Sequence, residues 1–279
     1  MAIKTIAVLI DAAPNQEARI AYAVNLSVRH EAYLIGVFQT PSTFPSDAAS
    51  SFARGHRAIA EALQYREAQQ NALIDQARKN FSNLAFPAGI RCEFRIHNSR
   101  TNDERRLSLL HADLVIAGTP KGWAVEDRPA SDVLQLATGV PFLLLPDSWQ
   151  NTNPAQHVLI GWNATRESRR AISDALPLLA AATSVTVLIV EPDANISEGE
   201  DPGFDVGRFL LRHGVRVTVD PVKSDGRATA DVIINYAVSN EHDLIVLGAY
   251  SHSRSRELVL GGVTRYLLAQ SPVPLLISH

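Results

Sequence analysis

Three stretches of the first half of this chain recur in the second half in the same order, and this repetition constrains the fold more than any other feature. The run Val8 to Ala21 (VLIDAAPNQEARIA) matches Val158 to Ala171 (VLIGWNATRESRRA) at an offset of 150. Further on, His111 to Gly118 (HADLVIAG) matches Glu241 to Gly248 (EHDLIVLG), and Gly139 to Leu145 (GVPFLLL) matches Ser271 to Ile277 (SPVPLLI). Ordered self-similarity of this kind marks a duplicated structural unit. With 279 residues to divide, each copy has about 140, enough to bury a core of its own. The polar stretch Pro146–Pro154 separates the copies and reads as a linker between prolines. The expected domains are therefore 1–147 and 154–279.

Each copy alternates short apolar runs with amphipathic ones. In the first copy, strands are expected near Ile6–Ile10, Ala32–Phe38, Ile90–Arg95, Asp113–Gly118 and Phe142–Leu145. In the second they are expected near Val158–Gly161, Val185–Val190, Val215–Val219, Asp243–Gly248 and Val273–Ile277. Continuous apolar runs suit strands buried on both faces of a parallel sheet. Between them, Ile172, Leu176 and Leu179 in Arg169–Ala181 fall at helical spacing, as do Val263, Tyr266 and Leu267. Strand–helix alternation of this kind builds right-handed crossovers. The fold class is α/β: two tandem, doubly wound, mostly parallel five-stranded sheets of Rossmann-like type. The copies differ in the middle, where the first carries about twenty extra residues, including the helix-prone, polar run Ser51–Phe81. That run reads as an elongated surface helix.

Composition closes off several classes of function. Hydrophobic residues make up 46% and charged residues 20%, the profile of an ordered globular protein. A formal net charge of −3 offers no basic excess to neutralise a phosphate backbone, so nucleic acid is not an expected partner. The apolar start Met1–Ile10 stops at Asp11, too early for a signal segment or a membrane span, and a cytoplasmic protein with no membrane partner is expected. The single cysteine, Cys92, lies in a strand-like run and reads as structural. His213, His242, His252 and His279 are scattered without ligand spacing and read as surface or capping residues; no metal ligand set is expected. Ser251 and Ser253 flank His252, but no carboxylate partner stands at a matching spacing, and no catalytic residue is assigned.

In an open parallel sheet, ligands bind beyond the carboxyl ends of the strands, where helix N-termini gather. After the fourth strand of the second copy the chain runs from Gly248 through Ser251 and His252 to Gly261, Gly262, Val263 and Thr264. Paired glycines at a helix start leave bare amides beside the helix dipole, an arrangement that binds anions. Thr264 adds a hydroxyl, while Arg254, Arg256 and Arg265 add positive charge.

This loop resembles that of the universal stress protein family, whose nucleotide-binding members carry Gly-x2-Gly-x9-Gly-(Ser/Thr). Gly248, position 251, nine intervening residues and Gly261 reproduce the spacing. Ser251 stands in place of the second glycine and Gly262 in place of the small hydroxyl residue. A strained residue or lost donor of this sort is worth roughly 1.4 kcal/mol, about tenfold in affinity. The resemblance extends to Trp162, Asn163, Ala164 and Thr165, which match the family's first strand-to-helix turn, with Asn163 where an aspartate usually meets the nucleoside. Val190 corresponds to the position whose backbone recognises adenine. Trp162 stacks on a base or packs in the core.

The resemblance implies an adenine nucleotide α-hydrolase-like fold and a stress-response regulator binding ATP or AMP, with Mg²⁺ as an optional companion. It also implies pairing through the last strand, made internally in a tandem chain or between chains in a homodimer. The alternatives are a nucleotide-free scaffold of the same fold and a weak ATPase. No Ser-Gly-Gly-x-Asp loop, His-x-Gly-His run or Mg²⁺-holding carboxylate pair is found in the second copy, which favours binding over turnover, with slow ATP hydrolysis at most. In the first copy Asp11 keeps the nucleoside-side aspartate. The segment after Gly118, however, carries Glu126, Asp127, Pro129 and Asp132 and no Gly-Gly pair, so this copy is expected to be structural, a partner surface, or a site for something other than ATP.

Overall fold

A computed structural model describes residues 2–11, 15–39, 56–97, 109–119, 138–191, 203–249 and 262–278. The first copy supplies β1 (Thr5–Ile10), α1 (Gln16–His30), β2 (Tyr33–Gln39), α2 (His56–Ala85), β3 (Cys92–His97), β4 (Leu114–Gly118) and β5 (Phe142–Leu145). The second supplies β6 (His157–Gly161), α3 (Arg166–Ala181), β7 (Ser184–Glu191), α4 (Phe204–Arg212), β8 (Val217–Lys223), α5 (Thr229–Ser239), β9 (Leu244–Gly248), α6 (Gly262–Gln270) and β10 (Leu275–Ser278).

Within each copy the strands lie in the same spatial order, β3-β2-β1-β4-β5 and β8-β7-β6-β9-β10, and pair in parallel. The expectation of two five-stranded sheets needs one correction. β5 and β10 pair antiparallel, with Leu143 opposite Leu276, so the ten strands form one continuous sheet. Both strands are fully buried, and an apolar strand left as an open edge would invite pairing with another chain. Here each covers the other.

The strand register also corrects the repeat. Ile6 pairs with Leu114 and Val158 with Leu244, and Leu114 and Leu244 are the same position of the matched DLVIAG and DLIVLG runs. Ile6 is therefore the counterpart of Val158, an offset of 152 in the strands, whereas the helix starts Gln16 and Arg166 stand 150 apart. The first copy's strand-to-helix turn is two residues longer, and Asp11 is the counterpart of Asn163.

Alternation along the strands sends side chains to two separate apolar layers. Ile6, Val8 and Ile10 face a layer with Ile20 of α1, Phe81 of α2, Ile172 of α3 and Val206 of α4. Ala7 and Leu9 share the other layer with Ile233 of α5 and Leu267 of α6. The long helix α2 is not simply a surface element. Ile74, Ala77, Phe81 and Ala85 are buried while Tyr65 is exposed, so its C-terminal half belongs to the core. Gly36 of β2 makes this possible, since a Cβ there would stand 2.8 Å from the Phe81 ring.

Two edge strands differ from expectation. β3 spans Cys92–His97 instead of 90–95, and β8 spans Val217–Lys223 instead of 215–219. Asp220-Pro221 reads as a break in isolation, but among the described residues β8 pairs with β7 alone. An outer strand tolerates a proline whose missing N–H faces away from its neighbour. The stretch between the copies is strapped down rather than loose. Asn15 Nδ2 donates to Pro146 O at 2.8 Å, Asn25 Nδ2 to Thr152 O at 2.9 Å, and Arg29 Nη1 to Ala155 O at 3.0 Å. No helix among the described residues is long and apolar enough to cross a membrane.

Candidate functional site

The spatial order reverses beside β1 in the first copy and beside β6 in the second, which makes β1/β4 and β6/β9 the points where a crevice opens at the carboxyl ends of a doubly wound sheet. In the second copy, β6 ends at Gly161, where a Cβ would meet Leu247 Cδ2 at 2.6 Å; only a glycine lets β9's side chain lie that close. Trp162 then donates its backbone N–H to Leu188 O at 3.0 Å, extending the pairing with β7 by one step. Its ring packs against the apolar layer of α3, with Nε1 buried and unpaired. Core packing thus accounts for the Trp162 ring.

Asn163 follows, exposed, and Ala164 turns the chain with φ +54°. Such left-handed geometry is uncommon for a residue with a Cβ. Thr165 caps α3: its Oγ1 accepts the Ser168 N–H at 3.3 Å, and Ser168 Oγ accepts the Thr165 N–H at 3.1 Å. This reciprocal box satisfies two otherwise orphaned amides. Thr165 Oγ1 also donates to Asn163 Oδ1 at 2.8 Å. Ser168 was not among the expected site residues, although a hydroxyl residue three positions after a threonine is the signal for such a box.

Gly248, at the end of β9, has a packing role. A Cβ there would stand 2.4 Å from the Glu167 carbonyl carbon and 2.5 Å from Ser168 N, so the first turn of α3 rests directly on this glycine. Across the same end, α6 starts with Gly262, where a Cβ would meet no atom of the described residues, and exposed Val263. Thr264 is buried, and its Oγ1 donates to Gly248 O at 3.4 Å, tying the α6 start to the end of β9. Val190 lies one residue short of the end of β7, partly buried. The fold thus gathers Trp162, Asn163, Ala164, Val190, Gly248, Gly262, Val263 and Thr264 at the carboxyl ends of β6, β7 and β9. Ser251, His252 and Gly261 lie outside the described residues, as do Glu126, Asp127, Pro129 and Asp132 of the first copy.

The matching place in the first copy is filled by its own side chain. Arg19, 1% exposed, donates from Nη1 to Leu9 O and Asp11 Oδ2 at 3.1 Å, and from Nη2 to Asp11 Oδ1 and Asn15 Oδ1 at 3.0 Å. Its guanidinium also lies against Gly118, the counterpart of Gly248, at 3.0–3.2 Å from where a Cβ would be. Sequence inspection identified Asp11 but not Arg19, because nothing in the spacing marks this arginine as buried. Among the described residues, no three His, Cys, Asp or Glu side chains gather as a metal site. His242 departs from the surface role expected of it. It is buried beside Tyr236, with Nδ1 unpaired, and burial holds its pKa below the usual histidine value.

A family model described as the universal stress protein family matches residues 154–279. The second copy is similar in sequence to that family. Crystal structures resemble the whole tandem chain in fold. A universal stress protein from Archaeoglobus fulgidus DSM 4304 superposes with a TM-score of 0.65 at 13% identity, covering 98% of this chain and 97% of that one. A putative universal stress protein from Pseudomonas aeruginosa UCBPP-PA14 gives 0.61 at 14% identity, with 99% and 93% covered. A functionally unknown protein from Pseudomonas aeruginosa PAO1 gives 0.60 at 13% identity, with 99% and 92% covered. No curated protein matches the chain in sequence. At these identities the structures show the fold alone, and the sequence match is confined to residues 154–279.

Proposed function

We propose that this chain is a stress-response regulatory protein that binds an adenine nucleotide, ATP or AMP, at the switch point of its second universal stress protein domain, with Mg²⁺ accompanying ATP. The observation that carries the reading is the contrast between the two switch points. In the second, a Cβ on Gly262, the first residue of α6, would meet no atom of the described residues, and Asn163 follows β6 between β7 and β9 in the sheet order. In the first, Arg19 binds Asp11, the counterpart of Asn163, and lies against Gly118, the counterpart of Gly248. A helix start with unhindered amides attracts phosphate oxygens through unpaired N–H groups and the helix dipole. The division at 147/154, with residues 1–147 as the structural partner domain, follows from the same contrast. The β5–β10 seam supports internal pairing of the domains, which leaves the chain no need of a homodimer to cover its last strands. We place the protein in the cytoplasm.

The decisive experiment is to denature freshly purified protein and identify the released small molecules by mass spectrometry. Near-stoichiometric ATP or AMP, one per chain, supports the reading. An empty protein that also shows no thermal shift with added Mg-ATP sinks it. That second outcome would favour a nucleotide-free scaffold, a reading supported by the Thr264 hydroxyl turning inward to Gly248 O.

A further inference from the structure

We propose that the outer face of α3 and α4 is a docking surface for an acidic protein segment with apolar side chains interspersed. The two helices cover the same side of the sheet, since Ile172 of α3 and Val206 and Leu210 of α4 enter one apolar layer. Their outer faces meet where the Arg169 guanidinium stacks on the Phe209 ring, 4.2 Å from its centroid. Arginine predominates there. Arg166, Arg169 and Arg170 of α3 and Arg208 and Arg212 of α4 are all exposed, set against Glu167, Asp174 and Asp205. The surface is thus positive in a chain whose formal net charge is −3. Arg170 is paired, with its Nε on Asp174 at 2.8 Å. Among the described residues, the other four have no carboxylate partner.

The surface is also shaped and partly apolar. A cavity of 370 Å³ is lined by Arg166, Glu167, Arg169, Arg170 and Ser173, room for an acidic side chain. Arg169 donates from Nη1 to Ser173 Oγ while its plane rests on Phe209. Both contacts hold the guanidinium in place before a partner arrives, which lowers the entropy lost on binding. On α4, Phe204 is 56% and Leu211 60% exposed, and Arg208 lies 5.3 Å over the Phe204 ring. Arginine and aromatic side chains together are the groups that carry most binding energy in protein interfaces. A bilayer or a nucleic acid is a poorer match. The apolar face of α4 is already in the core through Val206 and Leu210, so it is not free to enter a membrane. The chain as a whole has no basic excess to neutralise a phosphate backbone.

The test is fluorescence anisotropy of the full-length protein with a fluorescein-labelled peptide of repeated Glu-Glu-Leu, with thermal unfolding confirming that each variant is folded. Wild type should bind at low salt and lose affinity as salt is raised. The Arg169→Gln, Arg212→Gln double variant should bind about tenfold or more weakly, and Phe204→Ser about threefold or more weakly. Arg91→Gln, just before β3 at the opposite edge of the sheet, should leave binding unchanged. A wild type that ignores the peptide, a double variant that binds as tightly as wild type, or an equal loss in Arg91→Gln overturns the proposal. So does tighter binding to phosphatidylserine vesicles or to duplex DNA. Residues 192–202 of the chain itself include Asp193, Glu198, Glu200 and Asp201. If exchanging these four for Asn and Gln tightens peptide binding by about tenfold, the surface serves that segment and the proposal of a separate partner falls.

Discussion

Arg19 grips Asp11 with both arms of its guanidinium, Nη1 to Oδ2 at 3.1 Å and Nη2 to Oδ1 at 3.0 Å, while Asp11 remains 45% exposed on its outer side. The arginine is the buried member, and it also serves Leu9 O and Asn15 Oδ1. Removing it strands two buried acceptors as well as one half-solvated carboxylate. Arg19→Met should therefore cost more than Asp11→Ala, about 2–4 kcal/mol against about 1 kcal/mol. Urea midpoints of the two variants check the order; equal losses would mean the ion pair alone accounts for the arginine.

Gly248 and Gly262 should respond oppositely to the smallest substitutions. Gly248→Ala drives a methyl into the backbone of Glu167 and Ser168, which must move the first turn of α3. A loss of about 3 kcal/mol or more is expected. Gly262→Ser places its Cβ where no atom of the described residues stands, adds a hydroxyl donor, and should tighten Mg-ATP binding about tenfold without lowering stability. Thermal unfolding with and without nucleotide reads both effects.

Burial holds the rings of His30 and His242 below the usual histidine pKa, with Arg29 adding to the effect at His30. Both rings are then neutral in the folded chain at a pH where the unfolded chain already takes up protons. Stability is unaffected by these groups above the unfolded value of about 6.5 and declines as pH falls below it, down to the folded values. The His30→Gln, His242→Gln double variant should lose part of the stability decline that wild type shows as pH falls below about 6.5. An unchanged slope in urea titrations would contradict this.

The joining of the two sheets is open to a double-mutant cycle. Leu143 and Leu276 face each other directly across the β5–β10 seam, and both are fully buried. Each truncation to Ala should cost about 3 kcal/mol, and the pair should couple by at least about 0.5 kcal/mol. Strict additivity in denaturant unfolding would indicate that the two copies unfold without the seam.

Much of the architecture was readable because duplication and hydrophobic period are properties of the chain itself. The strands at β1, β4, β6, β7 and β9 are apolar runs of the length a buried parallel strand needs, and they fell within a residue or so of their expected positions. Edge strands were less legible. β8 continues through Pro221 only because β7 supplies the ladder on one side and the other side is an outer edge, a circumstance that no local pattern records. The glycines at 248 and 262 look alike in sequence, and only packing separates them: one lies under α3, while a Cβ on the other would touch none of the described residues.

The sequence by itself determined the repeat, the α/β class and the resemblance of the second copy to a known family. These depend on residue order and on periods that the backbone must satisfy wherever it lies. Tertiary structure alone decided that the ten strands share one sheet, that the repeat shifts from 150 in the helices to 152 in the strands, and that Asp11 is bound by Arg19 while Asn163 is held by Thr165. Each of these is a choice among partners of similar chemistry, and the choice is made by which groups the folded backbone brings within about 3 Å of one another.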